Sequence, residues 1–90
     1  MKRYLHVGFA FVGQPKISEL VPIFNKADDW LRYAPNCWII WTAESPEAWD
    51  ARLKPLLGDK DMVLVCPINL KDHDGWLTRE MWDWINRTRT

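Results

Sequence analysis

The sequence predicts a single α+β domain: a four-stranded antiparallel sheet, two helices against one of its faces, and a further helix at the C-terminal end. Three observations carry this. Apolar, aromatic and β-branched runs at 4–12, 30–34, 37–43 and 62–68 read as strands bounded by turn residues. Between them, apolar residues recur at helical spacing after residue 17 and after residue 46. Ninety residues with 48% hydrophobic and 27% charged side chains suit one folded domain and argue against a disordered chain.

The first strand, YLHVGFAFV over 4–12, lies between Lys2-Arg3 and Gly13-Gln14-Pro15. Its period of two puts Leu5, Val7, Phe9 and Phe11 on one face and Tyr4, His6, Gly8, Ala10 and Val12 on the other. Ile17, Leu20, Val21 and Phe24 then follow the i, i+3, i+4, i+7 rule of a helix stripe, with Pro22 forcing a late start or a kink. WLRYA (30–34) and CWIIWTA (37–43) flank Pro35-Asn36 and read as a hairpin. Ser45-Pro46-Glu47 opens the second helix with a cap, a first-turn proline and an acid at the positive helix end. Trp49, Leu53, Leu56 and Leu57 form its stripe, Pro55 loosens its last turn, and Gly58 fits the stop. MVLVCPI (62–68) is a short, fully apolar strand after the charged turn 59–61. Thr78 caps a last helix whose stripe is Leu77, Met81, Trp84 and Ile85.

The order is βαββαβ plus a C-terminal helix. With right-handed crossovers it closes an antiparallel sheet of strand order 4-1-3-2, a ferredoxin-like sandwich with 4–12 central. No repeat, low-complexity tract or linker interrupts residues 1–90, so one domain is expected.

A sheet with helices on one side and water on the other alternates apolar and polar residues. These strands are apolar on both faces: Trp38 and Ile40 oppose Cys37, Ile39 and Trp41, and Met62, Leu64 and Cys66 oppose Val63 and Val65. Two helices cover one face only. The preferred cover for the second is another copy of the chain, packed sheet to sheet, with Gly8 and Ala10 permitting close approach. The alternative is that residues 76–88 fold back over it.

No stretch reaches the ~18 apolar residues of a membrane span, and the opening MKRYLHVGFAFVG lacks a signal-peptide cleavage site and reads as strand. Cys37 and Cys66 lie singly in apolar runs and read as reduced, buried thiols. A cytoplasmic protein is expected.

Twelve Lys/Arg balance twelve Asp/Glu, which weakens any picture of bulk electrostatic nucleic-acid binding. The neutrality hides segregation. Lys2, Arg3, Lys16 and Lys26 face only Glu19 in residues 1–26, whereas Asp28, Asp29, Glu44, Glu47 and Asp50 face only Arg32 in 27–50. Arg79, Arg87 and Arg89 add a basic group compatible with phosphate contacts.

Asp72-His73-Asp74, with His6 approaching from the first strand, is the densest set of metal-ligand or acid–base types, although a solvated loop is the favoured reading. Ser45 and Thr78 read as caps, not nucleophiles. No glycine-rich phosphate cradle occurs, and no cofactor is called for. Of seven tryptophans, Trp38, Trp41 and Trp49 are most simply core, with Trp38 also kept as an interface or ligand candidate. Trp30, Trp76 and Trp82 are harder to bury and read as interface anchors or base-stacking groups, with Gly8, Ala10, Arg79 and Arg87 beside them as candidates.

Taken in order, YLHVGFAF, DWLRYAPNCWIIWTA, SPEAWDARLKPLLGDKD, MVLVCPI and GWLTREMWDWI cover nearly the whole chain. In that order and with that tryptophan placement, the chain resembles the small SinR-like proteins, which are similar to the CRISPR-associated Cas-two family of dimeric ferredoxin-like proteins. The resemblance implies a homodimer and, for the nuclease branch, metal-dependent attack on RNA or DNA through an aspartate ending the first strand. This sequence has Phe11-Val12-Gly13-Gln14 there and no carboxylate among residues 1–18, where a hard cation would need oxygen ligands.

The expectation is therefore a non-catalytic, homodimeric interaction protein, of the phage or mobile-element type engaged in defence or counter-defence that the resemblance implies. Its further partner is a protein, a nucleic acid or a nucleotide, and not a membrane. A divergent metal-dependent endonuclease and a nucleotide sponge with Trp-lined pockets at the dimer seam are the alternatives.

Overall fold

The computed structural model describes residues 1–89. It is an α+β domain with β1 (Arg3–Ala10), α1 (Ile17–Phe24), β2 (Asp29–Ala34), β3 (Cys37–Thr42), α2 (Pro46–Leu53), β4 (Met62–Ile68) and α3 (Arg79–Asn86). A single 3₁₀ turn, Lys54–Leu56, follows α2. The four strands form one antiparallel sheet in the order β2-β3-β1-β4, so β1 is paired on both sides and β2 and β4 are edges.

Each boundary has a local cause. β1 ends at Ala10, opposite Met62, two residues short of the expected Val12. The Val12 N–H is taken instead by the Asp61 carboxylate at 2.8 Å, which also accepts from Gly58 N–H at 2.8 Å. α1 begins at Ile17 and runs straight through Pro22. The proline removes one backbone donor, and its would-be acceptor belongs to Ser18, an exposed residue that water can satisfy. Ser45 Oγ accepts from Ala48 N–H at 3.1 Å with Pro46 in the first turn, as the capping residues predict. Pro55 turns the end of α2 into the 3₁₀ turn, so the α-helix stops at Leu53 and Gly58 is not its cap. The hairpin turns at Pro35-Asn36, and the β2–β3 register shifts between Arg32 and Ala34.

α1 and α2 cover one face of the sheet. Leu5, Val7 and Phe9 of β1, Trp38 and Ile40 of β3, Leu20 and Phe24 of α1, and Trp49 and Leu53 of α2 form its core. Phe24 stacks on Trp38 with centroids 4.7 Å apart at 12°. Trp49 Nε1 donates to Thr42 Oγ1 at 3.3 Å, whereas the buried Trp38 Nε1 has no acceptor in reach.

The second face is covered in part by the chain's own C-terminal segment, the alternative cover that the sequence offered. Residues 79–86 fold back within the chain: Trp84 and Ile85 pack with Ile39, joined by Tyr4, Leu31, Tyr33 and Trp82. Thr78 Oγ1 caps this helix, accepting from Met81 N–H at 3.3 Å. α3 lies over the β2–β3 side of the face, its first turn near Tyr33 and its last near Tyr4. The β1–β4 corner beyond it stays open.

A basic latch holds α3 in place. Arg89, only 7% exposed at its side chain, ion-pairs with Asp29 Oδ2 at 2.8 Å. It also donates to Tyr4 Oη at 3.0 Å and to the Trp84 carbonyl at 2.8 Å. Its guanidinium lies 4.1 Å from the Trp84 ring centroid. Burial pushes the Asp29 carboxyl up. Hydrogen bonds from Arg89 and the Trp30 N–H, with Trp84 and the Arg89 charge adding, outweigh it and hold the group below the usual carboxylate range. Lys2 reaches Asp28 at 3.2 Å, so part of the basic first third is neutralised by the acidic middle of the same chain.

Candidate functional site

The open part of the second face is built by the β1–β4 ladder. Gly8 stands opposite Leu64 and Ala10 opposite Met62. Because alternate residues share a face, Met62 and Leu64 both point away from the α1–α2 core, and they are 65% and 66% exposed. Together with Gly8 and Ala10 they line a shallow apolar groove. On the neighbouring β3 face Ile39 is covered by α3 and its aromatic partners, so the groove is a part of the sheet that α3 leaves unpacked.

A polar cluster borders the groove. His6 Nε2 and Tyr33 Oη are 2.6 Å apart, and the rings pack at 5.7 Å. Burial holds the imidazole below its usual range. Burial also pushes the Tyr33 phenol up to about 12, and the Cys37 thiol beside it adds to the shift. The pair is therefore a neutral phenol–imidazole hydrogen bond at pH 7. A Cβ at position 8 would stand 3.1 Å from His6 Cε1, so Gly8 is what lets this ring lie down along the strand. Cys66 faces His6, and Cys37 faces Gly8, across the ladders; both thiols are free.

The other candidates are dispersed. Trp38 is fully buried against Phe24 and Phe9 and presents no surface to a partner. Trp30 closes the edge of the α1–α2 core, its Nε1 donating to Asn25 Oδ1 at 2.9 Å. Trp82, on α3 itself, is half-buried and stacks on His73, centroids 5.6 Å apart. Trp76 is 98% exposed and lines a groove with Tyr33, Leu77 and Met81 at the same end of the sheet as the open corner. Arg87 lies 3.4 Å from Asp29 and belongs to the latch; Arg79 is exposed at the start of α3.

His6 and the Asp72-His73-Asp74 loop are not brought together as a ligand set. His6 engages Tyr33, His73 Nδ1 contacts the Leu70 carbonyl at 2.6 Å, and Asp74 Oδ1 accepts from Gly75 N–H. Among the described residues no group of three or more His, Cys, Asp or Glu converges as a metal site. The carboxylate that does reach the end of β1 is Asp61. It is occupied by the Val12 and Gly58 N–H groups, which pull it below the usual carboxylate range. No helix among the described residues is long and apolar enough to cross a membrane.

Trp41 is the residue that sequence reasoning misplaced: it is half-buried, and lines a cleft at the far end of the sheet with Lys2, Arg3, Tyr4, Lys71 and Arg89. Comparison with protein-family models, with curated proteins and with solved structures returns no match for this chain.

Proposed function

We propose that this chain is a non-catalytic binding protein on a ferredoxin-like sandwich, which self-associates through the open β1–β4 corner of its second sheet face. The observation that carries the reading is the pair Met62 and Leu64, each about two-thirds exposed, beside Gly8 and Ala10 on a sheet face that α3 covers only in part. Burying a Leu or Met side chain is worth about 1.5–3 kcal/mol, so leaving both in water forfeits stabilisation that a second copy supplies. The residues opposite them, glycine and alanine, let a partner's side chains approach the β1 backbone. Pro67 removes a donor from the outer edge of β4, which disfavours strand-to-strand extension there and favours contact through the face. An isologous pairing of two such corners covers both at once. The resemblance to the dimeric Cas-two family agrees with this assembly. The strand order β4-β1-β3-β2, read from the β4 edge, supports the ferredoxin-like reading.

The test is a dilution series followed by amide NMR. Self-association through the corner shifts the resonances of Gly8, Ala10, Met62 and Leu64 with concentration and leaves those of α1 unmoved. Spectra independent of concentration, or shifts confined to another surface, would sink the proposal.

A further inference from the structure

A second cleft lies at the opposite end of the β1–β4 ladder, separate from the open corner. It lies where β1 begins, β4 ends and α3 finishes, and its lining includes Lys2, Arg3, Lys71 and Arg89, with no carboxylate among the lining residues. Two of these cations are committed: Lys2 to Asp28 at 3.2 Å and Arg89 to Asp29 at 2.8 Å. Arg3 and Lys71 make no ion pair among the described residues, and both are exposed. Among the described residues the cleft therefore holds two positive charges without an ion-pair partner, which match the charge of about −1.5 to −2 on a phosphate monoester.

The rest of the wall is not what a bare anion needs. Tyr4 and Trp41 stand side by side with centroids 4.7 Å apart, and Ile68 and Ile85 supply an apolar floor. Arg89 packs against Tyr4 from the latch side, fixing the phenol ring, while Asn69 Oδ1 accepts the Lys71 N–H at 2.9 Å and orders the loop that presents Lys71. Paired cations next to aromatic and apolar surface are the features that hold a nucleotide by both its phosphate and its base. We propose that this cleft binds a nucleotide, its phosphate between Arg3 and Lys71 and its base against Trp41 and the apolar floor. A free mononucleotide and the terminal nucleotide of a single strand share this chemistry.

The test uses the full chain, titrated calorimetrically with AMP and with inorganic phosphate, and by fluorescence anisotropy with a labelled ten-nucleotide single strand. The comparison variant is Arg3→Glu/Lys71→Glu, whose two positions are exposed, with its fold checked by circular dichroism. AMP or the oligonucleotide binding at least tenfold more tightly than inorganic phosphate, with at least a tenfold loss in the variant and weakening as salt rises, supports the site. Binding of AMP assigns the free nucleotide as ligand; binding of the strand alone assigns a strand end. Absence of binding at millimolar nucleotide and micromolar oligonucleotide, inorganic phosphate binding as tightly as either, or a folded variant that binds as wild type would overturn it.

Discussion

Arg89→Ala should release α3 from the sheet. The side chain is 7% exposed and makes contacts of three kinds: an ion pair, neutral-acceptor hydrogen bonds and a cation–π contact. A charge-assisted hydrogen bond is worth about 1.5–3 kcal/mol when well buried. Asp29 is about a third exposed, so solvent screening reduces its share to roughly 1 kcal/mol. The guanidinium 4.1 Å over Trp84 adds about 0.5–1 kcal/mol. The bonds to Tyr4 Oη and the Trp84 carbonyl add about 0.5 kcal/mol each. Arg87, already 3.4 Å from the same Asp29 oxygen, keeps that carboxylate from being stranded. The total loss is therefore near the lower end of the sum, about 2.5 kcal/mol, or a fall in Tm of roughly 10–20 °C for a domain this size. Because the contacts join α3 to β1 and β2, native-state hydrogen exchange should show the loss first in Arg79–Asn86, with the central strand amides still protected. Arg89→Lys keeps the charge without the planar fork and should fall between the two. A loss under about 0.5 kcal/mol, with α3 protection unchanged, would refute the latch.

The remaining expectations concern the core, pH and the two surfaces. Trp38→Ala should cost about 3–5 kcal/mol in urea unfolding. Trp38→Phe should cost less than about 1.5 kcal/mol, because it also removes a buried N–H that has no acceptor; equal losses would contradict this account of the site. His6 is held below its ordinary value in the folded chain, so near pH 6.5 and somewhat below it the unfolded state binds more protons. Stability should accordingly rise with pH through that window and level off above it, and His6→Gln should flatten the slope; a slope that survives points elsewhere. Asp29 acts lower on the scale: its folded value is depressed, so its stabilisation is present above its ordinary value near 4 and lost as pH falls through the folded one. Arg3→Glu/Lys71→Glu should leave the unfolding free energy within about 0.5 kcal/mol of wild type while abolishing nucleotide binding.

Much of the fold could be read from residue order because local signals agreed. The run 62–68 between a charged turn and Asn69 gives β4 at its observed bounds, and Ser45-Pro46 and Thr78 mark their helix starts correctly. The misreadings arose where a tertiary contact overrides a local pattern. Phe11 and Val12 continue the alternation of β1, but Asp61, 49 residues further along the chain from Val12, takes the Val12 N–H and ends the strand. The apolar second face was correctly read as needing a cover. What that reading lacked was Arg89, whose role depends on Asp29, Tyr4 and Trp84 meeting in space. The cationic cleft escaped for a similar reason: Arg3 and Lys71 are distant in sequence, and the antiparallel β1–β4 pairing brings them together. Lys2-Arg3 before the first strand and Lys71 just after the last were the available signal, once those strands are paired. Trp41 read as core because strand tryptophans usually are, and its half-buried state follows from its place opposite Tyr4 near the start of β1.

The central claim is that the open β1–β4 corner is an association surface, and sedimentation velocity on wild type beside Leu64→Asp tests it most directly. The 66% exposure of Leu64 means that the substitution spares the core. Wild type should sediment as a species of twice 10.7 kDa at roughly 100 μM and dissociate on dilution, while Leu64→Asp stays at 10.7 kDa throughout. Wild type remaining at 10.7 kDa at that concentration, or a dimer that Leu64→Asp leaves intact, would contradict it.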